Sequence, residues 1–202
     1  MYVENNIMKL VGEIVTDFEF NNEVYDEKFY KAMFRVIRDS GVEDIIPIVV
    51  SEKLLDMSYS WVGVRLELSG QYRSYARLLD DGHRKIELFM FVNHASYTFV
   101  GEDVNHIELD GYLCKEPYYR QTPKGRHITE IILAVNRAYG KTDYIPLICW
   151  SRDAALALRY SVGTHVKVVG RVQSREYIKT LEDGTRETRV AYEVSVADIW
   201  EV

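Results

Sequence analysis

The sequence predicts an all-β chain of two small five-stranded barrels in tandem, each with one helix between its third and fourth strands. Three observations predict it: an internal duplication, strand-like alternation of apolar and polar residues, and a helix-like segment at the same place in both copies. Asp44-Ile45-Ile46-Pro47-Ile48 reappears as Asp143-Tyr144-Ile145-Pro146-Leu147, an offset of 99 residues (146 − 47) that also carries Gly12 to Gly111 and Arg38 to Arg137. Gly63 and Gly70 map to Gly163 and Gly170, and Asp81-Gly82 maps to Asp183-Gly184, so the offset grows by short insertions that fit loops. Such a period is too long for a solenoid repeat and fits two copies of one compact domain. The predicted domains are residues 1–101 and 102–202.

In the second copy, Ile107 to Leu113 alternates and breaks at Glu116-Pro117. Thr122-Pro123-Lys124-Gly125 has turn chemistry, with proline fixing one backbone angle and glycine tolerating positive φ. Ile128 to Arg137 alternates and is rich in β-branched residues, which makes it a second strand, and Tyr144 to Trp150 makes a third. Pro146 has no N–H and favours an edge or a local break there. Ser151 is the expected cap of a helix from Arg152 to Tyr160, ended by Gly163. Val166 to Tyr177 is a long fourth strand, a turn falls at Leu181 to Thr185, and Thr188 to Val196 returns. The first copy repeats this order. Ser51 caps Glu52 to Ser60, Gly63 ends that helix, Val64 to Tyr75 is the long strand, and Asp80-Asp81-Gly82 turns. Five strands with a helix after the third is the order of an OB-fold. The junction near Phe99 to Val104 is too short for a flexible linker, so the two barrels are expected to pack together.

Apolar residues at 47% and charged residues at 28% exclude wholesale disorder. Two cysteines, Cys114 and Cys149, are too few for a disulfide framework and lack metal-ligand spacing, so both are expected as reduced thiols. No stretch approaches the roughly 18 apolar residues that span a bilayer, and no export signal opens the chain. The expected location is cytoplasmic. Residues 1–101 carry 11 Lys+Arg against 16 Asp+Glu, and residues 102–202 carry 14 against 15. A polyanion site must therefore be a local basic groove on a mildly acidic body.

Small barrels bind extended polymers with rings for stacking and cations for the backbone. Tyr144 and Trp150 are six apart in one strand, so they share a face, and Ile145, Leu147 and Cys149 take the core face. In the long strand Arg171, Gln173, Arg175 and Tyr177 share parity, opposite Val172 and Ser174. Two arginines, an amide and a ring suit phosphates and bases better than a core. Tyr139 lies beside Arg137 just past the second strand, and the turn after Pro117 adds Arg120, Lys124 and Arg126. Rings in strands ordinarily pack and single arginines are ordinarily solvated. The matched faces favour a ligand.

Several runs carry a family resemblance: Ile107-Glu-Leu-Asp-Gly111, Glu116-Pro117, Arg120, Pro123, Gly125, Leu133-Ala-Val-Asn-Arg137 and Tyr144-Ile-Pro-Leu-Ile-Cys-Trp150. Gly163, Val169-Gly-Arg-Val-Gln-Ser-Arg175 and Asp183-Gly184 continue them. Residues 105–200 thus resemble bacterial single-stranded DNA-binding protein. The resemblance implies OB-folds that wrap single strands with a few stacking aromatics. Its stacking positions fall on Tyr139, Tyr144, Trp150 and Tyr177, all aromatic here. The first copy shares only the frame, with Ser40, Ile45 and Ser51 in place of three rings and Arg77 or a neighbour opposite Tyr177, Tyr75 lying close by. It is predicted to be structural or a weak auxiliary binder. Its rings Phe18, Phe20, Tyr25, Tyr30 and Tyr72 are expected to serve chiefly as a packed interface.

The family usually assembles four single-OB subunits, so two OB units per chain imply a homodimer supplying four. The chain ends at Ile199-Trp200-Glu201-Val202, directly after the last strand, so recruitment of replication proteins through an acidic tail is not expected. His83, His94, His106, His127 and His165 are scattered, and there is no P-loop and no Gly-x-Ser-x-Gly elbow. The expectation is a non-enzymatic, cofactor-free, nucleoid-associated protein. It would coat single-stranded DNA in replication, recombination or repair, using the four rings with Arg120, Lys124, Arg126, Arg137, Arg171 and Arg175. The alternative is an OB-fold interaction subunit, primosome-like or a mobile-element accessory, with little affinity for DNA.

Overall fold

The computed structural model describes residues 4–78, 82, 84–99, 101–122, 125–181 and 183–202. The first half holds β1 (Asn6–Ile14), β2 (Glu19–Val24), β3 (Glu27–Ile37), β4 (Glu43–Ser51), β5 (Arg65–Leu78) and β6 (Arg84–Tyr97). The second holds β7 (Val104–Leu113), β8 (Tyr118–Gln121), β9 (His127–Asn136), β10 (Thr142–Trp150), α1 (Ser151–Ala157), β11 (His165–Thr180) and β12 (Arg186–Glu201). All twelve strands join one sheet in the order β2-β3-β4-β6-β5-β1-β7-β11-β12-β10-β9-β8. Extra pairings of β1 with β3 and of β7 with β9 roll each half into a barrel. The result is two tandem OB folds.

Among the described residues each half has six strands where five are predicted. The additional ones are β2, whose six residues are all exposed, and β8, which is only four residues long. Neither buries the alternating face that marks a strand in sequence. The predicted helix over Glu52 to Ser60 does not form; turns occupy that segment. Ser and Asp hydrogen-bond nearby backbone in competition with a helix. Here Asp56 accepts from the Ser58 N–H at 2.9 Å, and Ser51 accepts from the Lys53 N–H at 3.1 Å. Trp61 then fills the space beneath, its indole N–H donating to the Asp56 carbonyl at 2.8 Å. In the second half Ala154 and Ala157 do support a helix against the barrel, but it is shorter than predicted and ends at Ala157. Ser151 is not its cap. Trp150 holds the cap position without a side-chain bond, and Ser151 is the first helical residue, at φ 49°.

Pro146 lies within the sheet order yet keeps the constraint of its missing N–H. It pairs with Ile132 of β9, while β10 meets β12 only at Leu147 and Ile148. Gly70 and Gly170 sit at bulges where β5 and β11 cross their partners closely. A Cβ would lie 2.1 Å from the Phe91 carbonyl oxygen in the first case and 2.4 Å from that of Ser195 in the second. Among the predicted turns, Asp80 and Asp81, Pro123 and Lys124, and Glu182 lie outside the described residues.

The halves do pack together. Strands β1 and β7 pair antiparallel over six residues, with Met8 facing Ile107, its own counterpart at the repeat offset. Asn6 opposite Leu109 and Leu10 opposite Asn105 exchange under the same operation, so a local two-fold axis passes through the Met8–Ile107 pair. Buried Met8, Leu10, Ile107 and Leu109 carry one continuous core from barrel to barrel. Polar contacts repeat across the axis. Asn6 exchanges both backbone bonds with Tyr72 (2.7 and 2.9 Å), and Asn105 does so with Val172 (2.7 and 3.0 Å). Asp143 accepts from the Ser74 N–H at 2.6 Å while the Ser74 hydroxyl accepts from the Tyr144 N–H at 2.9 Å. Asp44, Ser174 and Ile45 make the same pair of bonds on the other side, both at 3.0 Å.

Candidate nucleic-acid interface

The second barrel brings most of the predicted residues onto its exterior. In β10 the parity is as expected: Ile145, Leu147 and Cys149 are buried, Tyr144 is 47% exposed and Trp150 is half-buried. The Trp150 indole N–H donates to the Ser195 hydroxyl of β12 at 3.0 Å, which ties the ring to the neighbouring strand. Ser195 in turn lies opposite Arg171 of β11, and Trp150 lies opposite Ile128, which lies opposite Arg120 of β8. Residues directly opposite on neighbouring strands share a face. A transverse row therefore runs Arg120, Ile128, Trp150, Ser195, Arg171, with a half-buried ring in the middle, buried Ile128 and Ser195 on either side of it and an arginine at each end.

A second line follows β11. Glu193 accepts from the Gln173 amide at 2.8 Å and from Arg175 Nε at 3.3 Å. Gln173 is thereby sealed, so the predicted open platform is interrupted there by a buried amide–carboxylate pair. Arg175 lies with its guanidinium 5.9 Å from the Tyr177 ring centroid, and Tyr177 remains 37% exposed. Tyr139 is 98% exposed on a three-residue 3-10 turn (Ala138–Gly140) between β9 and β10, at φ 61°. None of the four rings is enclosed in the core.

The cations differ in availability. Arg120 pairs with Glu130 at 2.6 Å, and Arg137 lies 3.0 Å from Asp143 without hydrogen-bond alignment. Arg171 points its Nε into a buried position with no hydrogen-bond partner among the described residues. Burial depresses its pKa, and nearby Arg38 adds to that while Asp44 opposes it. Arg171 thus serves the junction between barrels as much as the open face. Arg126 is exposed on the β8–β9 connection, and Lys124 lies outside the described residues. In the first half, Ser40 lies in the turn before β4, the Ile45 N–H is held by Ser174, and Ser51 is buried against Glu27. Sequence reading missed Glu193 and both serine–aspartate contacts between barrels. The one signal for the latter is that Asp44/Asp143 and Ser74/Ser174 are identical across the repeat.

No helix among the described residues is long and apolar enough to cross a membrane. The fold and this exterior face define a tandem OB-fold protein with a ring-and-arginine surface. Residues 104–200 match the family model described as the single-strand binding protein family. Single-stranded DNA-binding protein B of Bacillus subtilis is 35% identical over 80 residues, covering 36% of this chain and 71% of that protein. The single-stranded DNA-binding protein of Enterococcus faecalis is 35% identical over 81 residues, covering 37% of this chain and 43% of that one. The chain belongs to the single-strand binding protein family. It spans about half the length of several curated relatives that it matches. The crystal structure of wild-type single-stranded DNA binding protein from Thermus aquaticus superimposes with a TM-score of 0.77 at 17% identity, over 98% of this chain and 92% of that one, a likeness of fold.

Proposed function

We propose that this chain coats single-stranded DNA without regard to sequence, in replication, recombination or repair, and does so without catalysis. The observation that carries the reading is the transverse row centred on Trp150, with arginines at both ends, and the exposure of Tyr177, Tyr144 and Tyr139 on the same barrel. Every base has a π-face, so stacking on these rings is tolerant of sequence. Arg175, Arg120, Arg137, Arg126, Lys124 and the exposed part of Arg171 neutralise phosphates. Two chains associating would present four OB folds to one strand, close to nucleoid DNA in the cytoplasm.

The test is anisotropy of a dye-labelled oligothymidylate at low salt. Stacking is worth about 1–3 kcal/mol per base, so Trp150→Ala with Tyr177→Ala should weaken binding by at least ~30-fold. Trp150→Phe, which keeps a ring, should retain most of the affinity. Binding should fall with salt at a log–log slope of about −0.7 per phosphate neutralised. An unaltered affinity in the double alanine variant, with unchanged melting, refutes the site. Absence of binding by the intact protein at micromolar concentration favours an interaction subunit whose ligand is another protein.

A further inference from the structure

We infer that the first barrel carries a second single-strand-binding platform, built from the same parts as the second barrel's with their positions exchanged. This rests on the proposed function above. Aligned by repeat offset, the first half lacks the family's rings; aligned by position on the folded surface, it has replaced them. Val49 faces Phe91 across the short parallel ladder of β4 and β6, as Ile148 faces Ser195 across that of β10 and β12. The neighbouring pair Trp150 and Ser195 is therefore matched by Ser51 and Phe91. Large and small have changed places, and the ring stays on the same patch of the barrel exterior. Phe29, opposite Ser51 on β3, packs its ring 5.6 Å from that of Phe91.

The cations follow the same rule. Along β5 the exterior series is Gln71, Arg73, Tyr75, Arg77, and along β11 it is Arg171, Gln173, Arg175, Tyr177. Each successive pair is inverted. Arg73 lies over the Phe91 ring at 3.7 Å from its centroid and is bonded only to the Gln71 amide among the described residues, with no carboxylate in salt-bridge reach. Burial lowers its pKa to about 10, so it remains a cation at neutral pH. A guanidinium laid flat on a ring offers its other face to a base and its edge to a phosphate. Tyr75 is 60% exposed two residues further along.

The two platforms are joined. The next residue on β5 is Ser74, whose hydroxyl accepts from the Tyr144 N–H, so the first barrel's Arg73 and Tyr75 flank the contact that positions the second barrel's Tyr144. Arg73 also lies near enough to the Arg137–Asp143 pair beside Tyr144 for both charges to act on it. The ligand is therefore single-stranded nucleic acid continuing from one barrel to the other, not a separate partner.

The experiment compares intact protein, a first-barrel variant (Arg73→Gln with Tyr75→Ala) and a second-barrel variant (Trp150→Ala with Tyr177→Ala) on labelled oligothymidylates. One length is about 10 nucleotides, within the ~4–16 that one OB fold covers, and one is about 30. The wild type should take two short oligonucleotides per chain and either variant one. On the long oligonucleotide the first-barrel variant should bind about tenfold or more weakly, with a melting curve like the wild type's. The inference is overturned if the wild type takes one short oligonucleotide per chain, or if the first-barrel variant matches it at both lengths while the second-barrel variant fails. If the wild type binds neither length, the underlying reading fails with it, and that result is distinct from the other two. Phe91→Leu, which removes the ring and keeps an apolar side chain, provides a second variant with the same expected loss.

Discussion

Asp44→Ala should destabilise the protein more than the same change at its repeat counterpart, Asp143. Asp44 has a fully buried side chain and accepts from Arg38 Nε at 2.7 Å and from Nη2 at 2.6 Å, an aligned two-point contact. It also accepts the Ser174 N–H across the junction. Removing one member of a buried pair leaves the other charge uncompensated, at about 3–5 kcal/mol. Arg38 keeps 23% of its side-chain surface in water, which puts the expected loss at the lower end, about 3 kcal/mol. A loss of 1 kcal/mol moves the melting point of a chain this size by about 2–4 °C, so the shift should be roughly 6–12 °C. At Asp143 the arginine contact is not aligned and burial already pushes the carboxyl pKa up. The main loss there is the Ser74 N–H bond, worth about 1–2 kcal/mol. Thermal melts by circular dichroism, at one pH and one protein concentration, measure both. Adding Arg38→Ala to Asp44→Ala should recover part of the loss, because the stranded charge is gone. A shift below about 2 °C for Asp44→Ala, or a larger one for Asp143→Ala, refutes the reasoning.

Three further outcomes follow from single groups. Asp143 is held above the usual carboxylate range by burial, against the opposing effects of Ser74, Arg137 and Arg73. The folded state therefore binds its proton at higher pH than the unfolded chain, and its share of stability grows as pH falls through that pKa toward about 4. Denaturant titrations at pH 7, 5 and 4 should show wild type gaining on Asp143→Asn as pH drops, and the opposite trend contradicts the assignment. Gly170→Ala forces a methyl toward the Ser195 carbonyl and should cost about 1–3 kcal/mol in the same titration. Its tryptophan emission should shift too, since Ser195 holds the Trp150 indole. Cys149 is fully buried, with burial pushing its thiol up to about 12, so a thiol reagent at pH 8 should modify Cys114 first and Cys149 only on unfolding.

Much of the fold was legible because burial on one face writes a period into the chain. Strands β5, β9, β10 and β11 alternate along their barrel-forming stretches, and Gly63, Gly163 and Gly184 mark turns between strands. What failed had no such period. Strand β2 is exposed along its whole length, and the segment 52–60 has helix-compatible leucines whose neighbours prefer bonds to their own backbone. At the site, parity correctly put Tyr144 and Trp150 on one exterior face. Parity could not show that Glu193 would close over Gln173, because that carboxylate arrives from the next strand.

The linear order of residues determined by itself that there are two related barrels, the alternation of the long strands, and which copy has aromatic residues at positions 139, 144, 150 and 177. Only the folded arrangement decided which outward side chains become neighbours. Phe91 and Ser51 lie forty positions apart, yet the parallel ladder of β4 and β6 sets Phe91 opposite Val49, two residues from Ser51, as the ladder of β10 and β12 sets Ser195 opposite Ile148, two residues from Trp150. A ring can therefore move from one strand to the next without leaving its place on the surface. The reason is geometric: position along a strand is encoded in sequence, whereas adjacency across strands is set by register, which the backbone ladders fix after folding.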